Sequence, residues 1–223
     1  MESAIESNNQ KRRTVRVVLL VICAALFNIL VYYGGEYLTR DLPKAILETP
    51  LDDAIPVLSW TVLIYGSAYL FWIVNYSLVL LHGPRGGARF LISYYLGEIL
   101  CFFGFLLLPS TMARPDIPGT SVFDALLRFL YRLDNPVNLL PSIHCFLSWL
   151  CWIGVRRNPR IPRWYRVFSL LLAIAICLST LTAKQHVAVD AAAGILLAEL
   201  CYWIVGFGMK TLSKRPDHGG SEP

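Results

Sequence analysis

Residues 17–35 read VVLLVICAALFNILVYYGG and contain no Asp, Glu, Lys or Arg. Three further stretches share this property, at residues 54–84, 135–155 and 167–183. A helix that crosses a membrane needs about 20 mostly apolar residues. The 223-residue chain is also 56% hydrophobic, whereas soluble domains are roughly 45–50% apolar. The sequence therefore predicts an all-α, polytopic membrane protein.

The apolar runs predict a six-transmembrane-helix bundle. The first run is longer than the apolar core of a signal peptide, roughly 7–15 residues, and no small-x-small cleavage pattern follows it, so it is interpreted as a retained helix. The spans are expected at residues 15–34, 56–81, 89–108, 139–156, 165–183 and 187–208. They form one membrane domain, 15–208, between a basic tail, 1–14, and a disordered tail, 209–223.

The charges of the connecting segments predict the topology. Lys and Arg are enriched in cytoplasmic loops of membrane proteins, and here they concentrate in the N-terminal tail and in the 82–89 and 156–166 loops. Both termini are therefore expected in the cytoplasm. The outer segments are then 34–54, which is net acidic, 109–138 and 183–187. The net charge of +5 reflects this topology, and no nucleic-acid partner is expected.

Two polar segments about forty residues apart lie at the ends of apolar runs. One reads LPSIHC, residues 140–145, and the other reads KQHVAVD, residues 184–190. Both fall on the predicted outer face. If the second segment is helical, His186 and Asp190 lie on one face with Cβ atoms about 5–6 Å apart. A carboxylate beside an imidazole orients the ring and stabilises its charged form.

This pattern is suited to phosphoryl chemistry. The free nitrogen of His186 could attack phosphorus, and His144 could protonate the leaving oxygen as a general acid. Arg114 and Lys184 could neutralise phosphoryl oxygens, while Ser142 and nearby helix amides could donate hydrogen bonds to them. Such a site needs no metal ion, and no cofactor is expected. Taken alone, each residue has a simpler role, such as a helix cap or an exposed loop charge. Together, however, these residues are all predicted to lie on the same face of the membrane, which favours a shared function.

These segments resemble the type 2 phosphatidic acid phosphatase / vanadium haloperoxidase superfamily. Its three motifs are Lys-x6-Arg-Pro, Pro-Ser-x-His and Ser-Arg-x5-His-x3-Asp. The first is matched by Arg114-Pro115, the second by Pro141, Ser142 and His144, and the third by His186 and Asp190. The variants found here are similar to the branch that includes inositol phosphorylceramide synthases.

The resemblance implies a role for each matched residue. His186 would be the nucleophile of a phosphohistidine mechanism, Asp190 its partner and His144 the general acid. The phosphate would be held by Arg114, Ser142 and Lys184. Two cations of the family pattern are absent, because their positions are occupied by Leu107 and Thr180. Lys184 is the first candidate to replace one of them, and the other candidates are Arg128, Arg132 and Lys44.

Three functional hypotheses follow from the sequence. The first is an integral membrane lipid phosphatase that hydrolyses a lipid phosphomonoester or diphosphate at the outer face. The second is a phosphotransferase that moves a phosphorylated head group onto a lipid or alcohol acceptor. The third is a non-catalytic lipid-binding or transport protein, which the two histidines and Asp190 disfavour. A bacterial cell membrane is the expected location, and no obligate protein partner is expected. Glu98 and Glu199, inside spans, are interpreted mainly as structural polar contacts.

Overall fold

A computed structural model describes residues 2–213, with side chains from residue 6 onward. The described residues are about 75% helical. Within the described residues there are eight α-helices and two short parallel strands. The helices are α1 (Glu2–Thr39), α2 (Pro50–Ala54), α3 (Val62–Leu81), α4 (Pro84–Leu107), α5 (Val122–Leu133), α6 (Ile143–Arg156), α7 (Arg163–Thr182) and α8 (Ala188–Leu212). The strands are β1 (Ala45–Ile46) and β2 (Ser110–Thr111), and a 3₁₀ turn, Ser59–Thr61, precedes α3.

The all-α class is confirmed. Among the described residues, five helices are long and apolar enough to cross a membrane, namely α1, α3 with its 3₁₀ turn, α4, α7 and α8. The remaining apolar helix, α6, has only 14 residues. That length spans about 21 Å, less than the roughly 30 Å hydrocarbon core. The count of six spans and the cytoplasmic position of both termini stay predictions.

Helices occupy all six predicted ranges, but their ends differ. Residues predicted as an N-terminal tail continue α1, and α8 extends to Leu212 rather than ending at 208. By contrast, α6 begins at Ile143 and not at 139, because Ser142 caps it by accepting a hydrogen bond from the amide of Cys145 at 3.3 Å. Of the disordered tail predicted at 209–223, residues 209–212 are instead the end of α8, and residues 214–223 lie outside the described residues.

Helix α6 is the centre of the bundle. It packs against α3, α4, α7 and α8, and its side chains Phe146, Leu147 and Leu150 are buried on contact with these neighbours. A central helix contacts protein on every side and needs no lipid-facing surface. Its short length is therefore compatible with its position, and its first turn, which carries His144, lies between several helices.

The first turns of α6 and α8 approach each other closely. The amide of Ser142 donates a hydrogen bond to the carbonyl of Asp190 at 3.1 Å. A Cβ atom at Gly194 would overlap the Ser142 carbonyl oxygen and would lie 3.0 Å from the Phe146 nitrogen. Because both of these atoms are backbone, they cannot move aside as a flexible side chain could. Glycine at position 194 therefore allows the close contact.

The segments 34–54, 109–138 and 183–187 gather at one end of the bundle. Strands β1 and β2 join the first two segments, and Thr111 forms a bridge with Val137. The second segment contains the unpredicted helix α5, which buries Leu127. The first and third segments meet at Asp52 and Lys184, which are joined by a hydrogen bond. The side of the membrane that this end faces stays a prediction.

The two acidic residues inside the predicted spans have different surroundings. Glu199 forms a two-pronged ion pair with Arg156, at 2.7 and 2.9 Å, and accepts a hydrogen bond from Trp149. Glu98 is fully buried and accepts a hydrogen bond from Asn28 at 2.9 Å. Its other carboxyl oxygen has no partner among the described residues. Each acid thus makes a polar contact between helices.

The Gly194→Ala substitution should destabilise the protein. The added methyl group would push the backbones of α6 and α8 apart, and overpacking of this kind typically costs about 1–3 kcal/mol. Gly66→Ala is the matched control, because no atom lies within 4 Å of a Cβ at that helical position. Thermal unfolding in detergent should show a lower Tm for Gly194→Ala and an unchanged or higher Tm for Gly66→Ala. Equal Tm values for the two variants would contradict the close-contact argument.

Candidate active site

His186 lies in the turn between α7 and α8 with its imidazole beside Asp190. Its Nδ1 is 3.5 Å from Oδ2 of Asp190, and the Asp190 side chain is fully buried. The same carboxylate oxygen accepts the amide of Val187 at 3.0 Å. The turn is held by the carbonyl of Thr180, which accepts the amides of Gln185 and His186. Nδ1 of His186 makes no hydrogen bond with the described residues, so its contact with Asp190 is one of proximity, as is common for catalytic pairs without substrate. This arrangement leaves Nε2 of His186 as the nitrogen on the opposite side of the ring.

His144, in the first turn of α6, faces His186 across a short gap. The two ring centroids are 6.5 Å apart. Tyr65 stacks on His144 at 4.2 Å between centroids, and its hydroxyl is 3.4 Å from Nδ1 of His144. Trp72 lies on another side of the ring at 5.1 Å. Nε2 of His144 is buried and has no partner among the described residues. The ring is thus oriented by aromatic contacts from α3.

Arg114 is a buried cation at this site. Its Nη2 donates to Oε1 of Gln185 at 2.7 Å, and its Nη1 donates to the carbonyl oxygen of Asp134. The guanidinium also lies 4.7 Å from the ring centroid of Tyr131 and 3.7 Å from the carboxylate of Asp134. Burial lowers the pKa of Arg114, but a guanidinium remains protonated in proteins. These contacts hold one fixed positive charge near both histidines.

Ser142 and Lys184 are placed differently from the four residues above. Ser142 is fully buried, and its hydroxyl caps α6 rather than lining a cavity. Lys184 donates from Nζ to the carbonyl of Asp52 at 2.7 Å. The structure therefore brings together His144, His186, Asp190 and Arg114. Phosphate binding by Ser142 and Lys184 stays a prediction.

The positions of the two absent family cations hold no charge. Leu107 is 82% exposed on the surface, and Thr180 is fully buried with its hydroxyl donating to the carbonyl of Cys177 at 2.7 Å. The replacement candidates other than Lys184 are Lys44, Arg128 and Arg132, and none of them lines either of the cavities at this site. Lys44 and Arg128 donate instead to backbone carbonyls of their own segments.

Two cavities meet at His186 and Arg114, which line both of them. The aromatic cavity, about 410 Å³, also contains His144 and Gln185 and is walled by Tyr32, Tyr33, Tyr65, Tyr69 and Trp72. The polar cavity, about 470 Å³, contains Glu48, Asp52, Asp53 and Lys184. The polar cavity also has apolar walls, among them Ile55, Val57, Met112 and Leu181, and it differs from the aromatic cavity in its three carboxylates and its lysine.

Several buried polar atoms around the aromatic cavity lack a protein partner. Among the described residues, these include Nε of Arg114, Nε2 of Gln185 and Nε2 of His144. A buried polar group without a hydrogen bond costs about 1–3 kcal/mol, so a cluster of such groups requires an explanation. Nε of Arg114 and the Gln185 amide are donors, and a bound anion would satisfy them. Oxyanion binding at this cluster stays a prediction.

Gln185 and Asp52 support the site, although spacing alone did not predict their roles. Gln185 orients Arg114. Asp52 accepts the amide of Ala188 at 2.7 Å and the amide and hydroxyl of Thr49 at 2.9 and 2.7 Å. Burial alone would raise the pKa of Asp52, but the bonds from Thr49 and Ala188 and the charge of Lys184 outweigh it and hold the pKa below its ordinary value. Asp52 thus anchors the N-terminus of α8 just after His186.

Comparison with known protein families matches residues 42–204 to the PAP2 superfamily. The chain belongs to this superfamily, whose members are generally phosphoesterases. Searches of curated proteins and of solved structures give no match. Together with the long apolar helices, membership supports a membrane protein with a phosphatase or phosphotransferase type of function.

Replacing Asp52 with Asn should change how stability depends on pH. Because the folded pKa of Asp52 is lowered, its ionised form stabilises the fold above the unfolded pKa of about 4, and this contribution is lost as pH falls through the folded value. At pH 6 we expect Asp52→Asn to be about 1–3 kcal/mol less stable than wild type. The gap should narrow towards pH 3.

Thermal unfolding across this pH range measures the effect. Asp53→Asn is the matched control, since Asp53 is exposed and neighbours Asp52 on the same short helix. It should follow the wild-type curve closely. A gap between wild type and Asp52→Asn that stays constant from pH 6 to pH 3 would contradict the role given to the Asp52 carboxylate.

Proposed function

We propose that this protein is an integral membrane lipid phosphatase that hydrolyses a lipid phosphomonoester or diphosphate through a phosphohistidine intermediate. The observation that carries the proposal is the aromatic cavity, in which His144, His186 and Arg114 meet beside unpaired hydrogen-bond donors. An imidazole backed by a buried carboxylate suits nucleophilic attack better than simple lipid binding. The proposed chemistry uses side chains alone and requires no metal ion.

In the first step, Nε2 of His186 attacks phosphorus and the bond from phosphorus to the lipid oxygen breaks. Protonated His144 gives its proton to that oxygen, so the lipid leaves as an alcohol, or as a phosphate if the substrate is a diphosphate. Asp190 stabilises the positive charge that develops on His186. The charge on the phosphoryl oxygens is met by Arg114, which is already fixed by Gln185 and therefore needs little reorganisation.

In the second step, water attacks the phosphorus of the phosphohistidine. His144, now neutral, takes a proton from that water, and the bond between phosphorus and Nε2 breaks. Inorganic phosphate leaves, and both histidines return to their starting protonation states. Because in-line attack enters from the side that the lipid oxygen left, the water must reach the His144 side of the aromatic cavity.

The surroundings of the cavity support a lipid substrate at the outer face. Tyr33 and Tyr69 line it and are each more than half exposed, on the long apolar helices α1 and α3. Tyrosine is common at membrane–water interfaces. The positive-inside distribution of charge favours the non-cytoplasmic side for this end of the bundle. Phosphatidate, phosphatidylglycerol phosphate and polyprenyl diphosphate are the candidate substrate types.

A phosphotransferase is the second candidate, and the polar cavity favours it. A head group that stays attached to phosphorus would project from the phosphate bound at His186 and Arg114. The polar cavity adjoins both residues and has the volume for such a group. An alcohol would then replace water in the second step and form a new phosphodiester. When a phosphomonoester is hydrolysed, no part of the substrate extends beyond the phosphate to occupy this second cavity.

His186→Ala should abolish turnover of lipid phosphates by the detergent-purified protein. Loss of the nucleophile removes the covalent route, and we expect a decrease of at least about a thousandfold. His82→Ala is the control, because His82 lies at the other end of α3 and lines neither cavity. EDTA should leave wild-type turnover unchanged. Equal turnover by His186→Ala and wild type would refute the mechanism, and loss of activity on adding EDTA would indicate a metal enzyme.

The reaction products distinguish the two candidate functions. With a lipid phosphomonoester and water alone, the phosphatase should release one inorganic phosphate per lipid alcohol. Adding a polyol or amino-alcohol acceptor should leave this ratio unchanged. Phosphate analysis and mass spectrometry of the lipid products measure both quantities. A new phosphodiester that forms only with the acceptor and requires His186 would instead favour the phosphotransferase.

A further inference from the structure

A third cavity lies at the opposite end of the bundle from His186. Its volume is about 460 Å³, and it is bounded by the start of α4, the end of α6, the second half of α8 and the loop after α6. Along α6, the distance from His144 to Arg156 is about 18 Å. Gly83 and Gly86 line this cavity, and a Cβ atom at either position would have no other atom within 4 Å. The space is thus open at its glycine wall and separate from the site described above.

The lining of this cavity is positively charged. Arg89, Arg156 and Arg157 contribute three guanidinium groups, against the single carboxylate of Glu199. Both Nη atoms of Arg156 donate to the carboxylate oxygens of Glu199, at 2.7 and 2.9 Å. Arg157 is exposed and makes no side-chain hydrogen bond or ion pair with the described residues. One guanidinium on the cavity wall is therefore free to bind an anion.

Arg89, which lines the same cavity as Arg157, is held in place by Tyr202. Its Nε and Nη2 donate to the carbonyl of Tyr202, and its guanidinium lies 3.7 Å from the Tyr202 ring centroid. A Cβ at Gly206 would overlap the guanidinium of Arg89, so glycine leaves the room that this side chain occupies. Nη1 of Arg89 has no protein partner among the described residues. A fixed guanidinium with one unused group is well suited to phosphate recognition.

An exposed apolar stripe on α8 leads along the helix to this cavity. Leu196, Leu200, Trp203 and Phe207 are 68%, 50%, 65% and 64% exposed, and their spacing places them on one helix face. Trp203 also lines the cavity and stacks on Phe207 at 6.0 Å. Tryptophan favours the membrane–water interface. The arginines therefore lie beside a surface suited to acyl chains.

We propose that this cavity binds the phosphate head group of an anionic phospholipid, whose acyl chains lie along the α8 stripe. Basic pockets between membrane helices are typical sites for such head groups. Arg157 and Nη1 of Arg89 would donate to the phosphate oxygens. Inorganic phosphate offers the same charge but gains nothing from the apolar stripe, so it should bind more weakly. The proposal is independent of the reaction proposed at His186.

Thermal unfolding in a neutral detergent tests the site. Phosphatidylglycerol is titrated into wild type, Arg157→Gln and the control Arg163→Gln, which removes an exposed charge at the start of α7 that does not line the cavity. We expect a saturable increase in Tm for wild type and for the control. For Arg157→Gln, the lipid concentration that gives half the increase should rise roughly fivefold, as expected for the loss of one arginine near a membrane surface.

Three further measurements distinguish binding at this cavity from non-specific lipid binding, from binding of phosphate alone and from binding at the active site. Phosphatidylcholine and inorganic phosphate should each produce a much smaller shift in Tm than phosphatidylglycerol. His186→Ala should respond to phosphatidylglycerol as wild type does, because the active site is not the site of this binding. The proposal is overturned if Arg157→Gln responds like wild type, if phosphatidylcholine gives an equal shift, or if inorganic phosphate alone gives an equal shift. A response lost in His186→Ala would place the lipid in the active site instead.

Discussion

The contact between the first turns of α6 and α8 determines the geometry of the whole site. One backbone hydrogen bond, from Ser142 to the carbonyl of Asp190, joins them, and Gly194 allows the two backbones to approach. His144 lies in the first turn of α6, and His186 lies two residues before α8 begins. Because both histidines adjoin this junction, the contact between the two helices largely sets their separation. Rigid elements position reacting groups better than loops do.

The remaining features of the site follow from burial of polar groups beside this junction. Arg114, Gln185 and His144 retain buried atoms without protein partners among the described residues, and such atoms are costly in the absence of a ligand. Native proteins commonly leave some polar groups without a protein hydrogen-bond partner at functional sites. Arg114 and His186 also separate an aromatic space from a polar one. The structure thus combines two histidines, one fixed cation and two chemically different cavities at one end of a bundle.

Much of this arrangement could be predicted from local sequence. Long runs without charge predict the helices, and the spacing of His186 and Asp190 predicts their pairing. Hydropathy alone places the start of α6 four residues too early, because apolar content carries no information about a helix cap such as Ser142. The aromatic wall of Tyr65 and Trp72 could not be predicted, since it depends on packing between α3 and α6. The same holds for Lys184, whose ammonium group is turned towards Asp52 by a contact distant in sequence.

In the proposed mechanism, phosphorus becomes bound to His186 during turnover. The direct measurement is to mix the protein with a lipid substrate labelled with ³²P at the transferred phosphate, quench with alkali, and map the labelled peptide by mass spectrometry. We expect a label that is stable to base, lost in acid, and located on His186. Labelling at another residue with none on His186, or turnover with no labelled protein at any time after mixing, would refute the mechanism.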